Sequence, residues 1–564
     1  MSAPDVIVIG SGGAALAAAV TAAHAGLAVI VLERDSLLGG TSAISGGALW
    51  IPLSRQAIAG GFQDSADSVR TYLRHVAGEA YRADIIDAFL AHAPEALAFL
   101  EDHAELRYSV RALSPDYHPD LPGATTAGRA LEMSAFDGRT LGAYFELLRP
   151  PPRAFMGFGG MMVNRIDIGH YINMRRSPRS FLHLGRLTIR YWLDRLHHSR
   201  GTRLVIGNAM VAALLKAALA RHVEFRLNVQ VSSFLVDAQG GAAGVVVRDA
   251  KGQATTLRAR GGVVLGTGGL SRRSGAAADR PGTGDDHLTM AAPHADGTMI
   301  SMAASQLGAQ VGGPLVDNFY WAPMSELTRR DGTRETFPHI VTDRAKPGII
   351  AITNRGTRFV NEGNSYHRFV RAMIDERRRG AHRFFLIADS RALNRYGLGL
   401  VRPWPGQHQA FIENGYLIEA PTVSALAQRL DINAAALEAT IVEFNGAARQ
   451  GVDSLFGRGG NAYDRSMGDA AAPHPSLAPL EHPPFYAVRI VTGDLGSAKG
   501  LLTDEYARVL RSDGTTVPGL FAVGTDMSSP FSGTYPGAGI VLGSGLTFGY
   551  IAATTIVRHV GART

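Results

Sequence analysis

The run Asp5-Val6-Ile7-Val8-Ile9, followed at once by Gly10-Ser11-Gly12-Gly13-Ala14-Ala15, constrains this chain more than any other segment. Consecutive β-branched residues read as a buried parallel strand. The glycines demand a tight turn, and an Ala-rich stretch to about Ala25 predicts a helix closed by Gly26. Residues 27–32 form a second predicted strand, ending in Glu33, 23 positions after Gly10. Strand, glycine turn, helix, strand and acid at this spacing make a dinucleotide-binding βαβ unit. Gly10 allows the sharp turn, Gly12 lets the backbone approach a pyrophosphate, and Ala15 is small enough for the helix to pack on its strand. The helix N-terminus offers free N–H groups to phosphate. Glu33 would accept from ribose hydroxyls, and its charge disfavours a 2′-phosphate.

A length of 564 residues implies about three or four structural units at ~150 residues each. The 66 glycines fall in clusters, at 39–47, 262–269 and again near the other end at 519–526. Both ends of the chain therefore build one α/β, Rossmann-like cofactor domain (1–293 and 486–564), into which an α+β substrate domain (294–485) is inserted. Residues 64–106 have a helical pattern. Residues 537–557 carry no charge over a membrane-length stretch. Its five glycines favour a buried helix with close backbone contacts over a tail anchor.

The absence of cysteine excludes disulfides, thiolate metal sites, iron–sulfur clusters and a cysteine nucleophile. With no basic leader ahead of Val6, a cytoplasmic location is expected. The net charge of +7 comes almost wholly from Arg. No basic platform interleaved with aromatics is present, so nucleic acid is not expected as a partner.

With these glycine turns, and with Asn354-Arg355-Gly356-Thr357-Arg358-Phe359-Val360-Asn361-Glu362, the sequence resembles the fumarate reductase/3-ketosteroid dehydrogenase superfamily of flavoproteins. The resemblance implies FAD as the cofactor. It places FAD against Gly10, Gly12, Gly13, Ala14, Ala15, Glu33, Arg34, Gly39, Gly40, Thr41, Ser42, Ser45, Gly46, Gly47, Val231, Thr267, Gly268, Gly524, Asp526, Gly539, Val541 and Leu542. Members that bind FAD covalently carry a His just before the Thr matching Thr41. Here that residue is Gly40, so non-covalent FAD is expected.

Fumarate-reducing relatives place an Arg four residues after the Glu matching Glu362; here the residue is Tyr366. A neutral phenol suits an uncharged, apolar substrate. Ser528–Gly539 contains Tyr535-Pro536-Gly537-Ala538-Gly539, similar to a stretch of the 3-ketosteroid Δ1-dehydrogenases, and Ser114-Pro115-Asp116-Tyr117-His118-Pro119 resembles their tyrosine-bearing loop. The resemblance thus implies a pocket of Tyr117, Tyr366 and Tyr535 with the Gly539 amide. In it a 3-ketosteroid would lose two hydrogens and its electrons would pass to a quinone-like acceptor. A Δ4-desaturase or ene-reductase on another enone, and a non-catalytic FAD redox protein, are the alternatives.

Tyr320-Trp321 reads equally as pocket lining or as core. Asp285-Asp286-His287 reads as a solvated turn. Residues 175–200 carry seven Arg against one acid, interleaved with Phe, Leu, Ile, Tyr and Trp. Within a basic amphipathic insertion at 150–200, this stretch is either a surface helix packed on the protein or a peripheral contact with an anionic membrane.

Overall fold

A computed structural model describes residues 3–157, 160–175, 177–403, 406 and 408–561. Strand β1 (Val6–Ile9), helix α1 (Gly13–His24) and strand β2 (Val29–Leu32) open the chain as the motif predicts. Helix α2 (Ala83–Ala104) follows, then α3 (Pro178–Asp194), α4 (Ile206–Ala220), β3 (Glu224–Arg226) and β4 (Gly262–Leu265). Next come β5 (Ile349–Thr353), α5 (Tyr366–Arg378), β6 (Phe384–Asp389), β7 (Ile418–Ala420) and β8 (Phe485–Ile490). Strands β9 (Arg508–Leu510) and β10 (Thr516–Ala522) and helix α6 (Ile540–Gly561) close the chain.

The main sheet has the order β3–β2–β1–β4–β10–β9, parallel except for β9. Every residue of β1, β2 and β4 is buried, because helices cover both faces of a parallel sheet. The carboxyl ends of β1, β2, β4 and β10 therefore gather the turns after Ile9, Leu32, Leu265 and Ala522 along one edge, where open α/β sheets bind ligands. β3 ends at Arg226, and the next strand does not continue it. Asn228 adopts φ +56°, and Gln230–Val236 joins a separate antiparallel sheet.

The inserted unit is built on the antiparallel sheet β5–β6–β8–β7. Its strands obey the period of two. Ile349, Ala351, Phe384 and Leu386 face the main core, while Ile350, Ile352, Phe385 and Ile387 join a second core with helices Val423–Leu430 and Ala434–Gln450. The expected boundaries need correction. β8 pairs with β6, so the return to the cofactor domain comes after Ile490, not at 486. At the other end, Asp296 ion-pairs with Arg34 at 2.6 Å and the Gln306 side chain accepts from the Phe234 amide, so residues just past 294 still pack on the cofactor domain.

Helix α6 is long and apolar enough to cross a membrane, yet 67% of its apolar window is buried against the rest of the protein. A Cβ on Gly549 would sit 2.4 Å from the Ala14 carbonyl oxygen, and one on Gly543 would sit 2.6 Å from that of Trp50. The helix is a core element, held backbone to backbone.

Candidate active site

A cavity of about 350 Å³ lies along the carboxyl edge of the main sheet and runs to the inserted unit. Every residue expected at the cofactor lines it except Ala15, Gly39 and Asp526. Those three stand behind the wall. Ala15 packs on Gly266, where a Cβ would fall 2.9 Å from its own. Gly39 donates its N–H to Ser11 Oγ at 2.9 Å. Asp526 was expected to touch the cofactor. Instead it is fully buried, and both its oxygens are committed to the turn after β4: Oδ2 accepts from the Thr267 amide and hydroxyl at 2.6 and 2.7 Å, and Oδ1 from the Gly269 amide at 2.8 Å.

The cradle fits a dinucleotide. Gly10 has φ +100°, and a Cβ there would sit 2.2 Å from the Gly266 carbonyl oxygen. Gly47 is pressed against the backbone of Ile206 and Gly207 in the same way. Helix α1 points its N-terminus into the cavity, with the Gly13 N–H given to Ser42 Oγ at 3.0 Å. Glu33 lines the cavity while its carboxylate also accepts from the Ser11 and Asp35 amides, at 3.1 and 2.9 Å. Gly40 has no side chain with which to bond a flavin covalently.

At the other end of the cavity, three tyrosines meet. The Tyr117 hydroxyl donates to the Tyr366 oxygen at 3.1 Å. Tyr535 lies 5.1 Å from Tyr366 edge to face and 5.4 Å from Tyr117 stacked, ring centre to ring centre. All three are buried and line the cavity with Gly539. Gly539 directly precedes α6, has φ +99°, and has no room for a Cβ, which would lie 2.5 Å from the Ala48 carbonyl carbon. Among the described residues no group accepts from its N–H. Tyr366 is the first residue of α5, whose N-cap is Ser365.

The tyrosines are held by a set of groups of which the sequence reading named Asp116, Tyr320 and Glu362 but not Trp50, Tyr72, Arg129 or Tyr463. The Tyr117 amide and the Tyr72 hydroxyl both donate to the Pro536 carbonyl, at 2.9 and 2.6 Å, which ties the Tyr117 loop to the Tyr535 loop. Asp116 accepts from Trp50 Nε1 at 2.9 Å, from Arg129 at 2.7 Å and from the Thr125 amide at 3.1 Å. Tyr463 packs on Tyr117 with centroids 5.1 Å apart. Tyr320 meets Tyr535 edge to face and donates to Ser529 at 2.9 Å, so this strand supports the pocket wall from behind. Ahead of α5, Glu362 is fully buried between Arg358 at 2.7 Å and Arg458 at 3.1 Å, and accepts from the Ala351 amide. That cluster locks the start of α5, and so the Tyr366 ring, to β5. The expected solvated turn at 285–287 holds in part: Asp285 is exposed in a turn, but Asp286 pairs with Arg377 and Arg489, and the His287 side chain is covered with Nε2 2.8 Å from Asp494.

Burial controls the electrostatics. It lifts the Tyr366 phenol well above its ordinary pKa, and the neighbouring Tyr117 and Tyr535 add to the effect. Tyr117 and Tyr535 are raised for the same reason, and Tyr320 is pushed up to about 12. No cation pairs directly with Tyr366 among the described residues. Burial also pushes Asp116 up to about 6 despite Arg129, and holds His118 down at about 3, with the charges of Arg368, His367 and Arg371 adding to the effect. For Glu362, burial works in the opposite direction but is overcome by Arg358 and Arg458, which keep it ionised.

Comparison with known proteins agrees with this architecture. The family described as FAD binding domain matches residues 5–542. A 4-oxocyclohex-2-ene-1-carboxylate 5-dehydrogenase of Sinomonas cyclohexanicum is 36% identical over 99% of this chain and 94% of its own. A 3-oxosteroid 1-dehydrogenase of Mycobacterium tuberculosis is 33% identical over 99% of each chain. The crystal structure of a 3-ketosteroid Δ1-dehydrogenase from Sterolibacterium denitrificans, in complex with 1,4-androstadiene-3,17-dione, superposes with a TM-score of 0.90 at 33% identity over 99% of each chain. The chain therefore belongs to the FAD-binding family, in the group that contains the 3-ketosteroid Δ1-dehydrogenases, and is an FAD-dependent oxidoreductase acting on CH–CH groups.

Proposed function

We propose that this enzyme introduces the C1–C2 double bond of 3-ketosteroids, and that Tyr366, Tyr117, Tyr535 and Gly539 carry out the proton and carbonyl chemistry. The observation that carries this reading is the convergence of three buried tyrosines and one unused amide on one wall of the cofactor cavity. Tyr535 O–H and Gly539 N–H would grip the ketone oxygen as it gains enolate character. One such donor is worth about 3 kcal/mol. Tyr366 takes the proton from the carbon next to the carbonyl, and Tyr117 donates to the Tyr366 oxygen as charge builds there. The glycine cradle would hold FAD, which when bound would supply a hydride acceptor for the adjacent carbon, the electrons going on to a quinone-like acceptor. The surrounding apolar burial excludes water from the reacting carbons. The test is anaerobic addition of androst-4-ene-3,17-dione to the holoenzyme. Bleaching of the flavin's visible band supports the reading; an unchanged spectrum removes the steroid assignment.

A carboxylated oxocyclohexane is the second reading, and Arg111 favours it. Its guanidinium lines the same cavity as Tyr117, with Nε 3.5 Å from Glu132 and making no hydrogen bond. The 36% identical relative named for such a substrate points the same way. Arg111→Met would then raise KM for 4-oxocyclohexanecarboxylate at least tenfold and leave steroid turnover in place. Equal effects on both substrates would assign Arg111 to neither.

A further inference from the structure

We propose that the outward face of α3 is a docking surface for an anionic lipid bilayer. The helix has two apolar sides. One, with Leu184 and Tyr191, is buried on the protein. The other holds Phe181, Leu182, Ile189, Trp192, Leu193 and, two residues beyond the helix, Leu196, each between 59% and 72% exposed. At 3.6 residues per turn these six side chains fall within an arc of about 120°. Six of the sixteen large exposed apolar residues of the described chain thus lie within sixteen positions of one another. Arg179, Arg186 and Arg190 are exposed along one edge of that arc. Among the described residues no carboxylate lies within ion-pair distance of any of them. An apolar stripe edged by guanidiniums outside any ion pair matches acyl chains below anionic headgroups.

A second copy of the chain fits this face less well. The only acid of the helix, Asp194, is committed to the Thr202 amide and hydroxyl at 2.8 Å each, so helix-on-helix pairing would leave all three guanidiniums without partners. The buried side of the helix is joined to the cavity. Phe155 lines the cavity wall. The hairpin of strands Met156–Gly157 and Met161–Met162 begins at the next residue and reaches α3, where a Cβ on Gly160 would fall 2.7 Å from Tyr191 Oη. Arg402 holds the Ala154 and Met156 carbonyls at 2.6 and 3.0 Å, fixing the base of that hairpin. A bilayer on the outward face of α3 would therefore rest on a helix whose other side packs against the hairpin that continues from the cavity wall.

The test is co-sedimentation of the holoenzyme with vesicles of phosphatidylcholine, with and without phosphatidylglycerol. Wild type is expected to sediment with the phosphatidylglycerol vesicles, less so as salt is raised. Replacing Ile189, Trp192 and Leu193 together by Ser should cut partitioning at least tenfold, with melting temperature and turnover of a water-soluble ketone unchanged. Replacing Arg179, Arg186 and Arg190 by Gln should abolish the preference for anionic vesicles, by roughly fivefold per guanidinium lost. Wild type remaining in the supernatant, or a serine variant that still sediments fully, would overturn the proposal. So would a serine variant that converts a dimer to a monomer by analytical ultracentrifugation, since that outcome assigns the face to a second copy.

Discussion

The two ends of the cavity are made differently. The cofactor end is shaped by backbone: glycines at positive φ pressed against other main chain, such as Gly10 on Gly266 and Gly47 on Ile206. The tyrosine end is shaped by side chains from three distant segments, around 117, 366 and 535, held by a shell of buried polar groups. Main-chain packing leaves no space for a Cβ, so the first end fails as a unit. A ring that loses only its hydroxyl still fills its volume, so the second end can lose chemistry without losing shape. Binding of the cofactor and turnover of the substrate should therefore be separable by mutation.

The largest effect tests the first half of that statement. Gly10→Val forces a β-branched residue to φ +100° with its Cβ 2.2 Å from a carbonyl oxygen. The variant is expected to purify without flavin absorbance, if it folds at all; a yellow, fully loaded protein would show that the cradle is softer than it looks. Tyr366→Phe comes next. It removes the proposed general base, a loss that costs about 10²–10⁴ in rate. Turnover should fall by about 10³ with the flavin spectrum and melting temperature kept, and flavin loss in this variant would mean that the two ends are not separable. Tyr535→Phe removes one of the two carbonyl donors proposed above and should lower kcat/KM by roughly 10².

The smallest effect is on pH dependence. In its proposed role Tyr366 would act deprotonated, and burial raises its pKa, so kcat/KM should climb as pH rises through the neutral range and into the alkaline. Below about 6, where Asp116 takes up a proton and its hold on Trp50 and Arg129 weakens, the fall should steepen. His118, held at about 3, adds no inflection near neutrality. An Asp116→Asn variant should lose the extra steepness, and a profile identical to wild type would detach Asp116 from the Tyr117 loop.

What could be read from the sequence follows the same division. The βαβ unit and the glycine turns are local patterns, so their folds and most of their cavity contacts were readable in advance. The tyrosines were reachable only through resemblance, since a lone phenol carries no spacing signal. Asp116, next to Tyr117, was on view, but its role depends on Trp50 and Arg129, which only the folded chain brings to it. Asp526 misled because its Gly-Thr-Asp turn looks like a cofactor contact, while the carboxylate points back into the turn after β4. The boundary at 486 failed because composition does not mark which of two sheets a strand will join.

Trp50 has a consequence of its own. Its amide donates to the Gly539 carbonyl at 3.2 Å, at the foot of α6, and its indole donates to Asp116 beside Tyr117. One residue thus pins the flavin-side helix and the tyrosine loop together, so slack at either should be felt at the other. Stripping the flavin should quicken deuterium exchange at the Tyr117 amide, whose own partner is the Pro536 carbonyl.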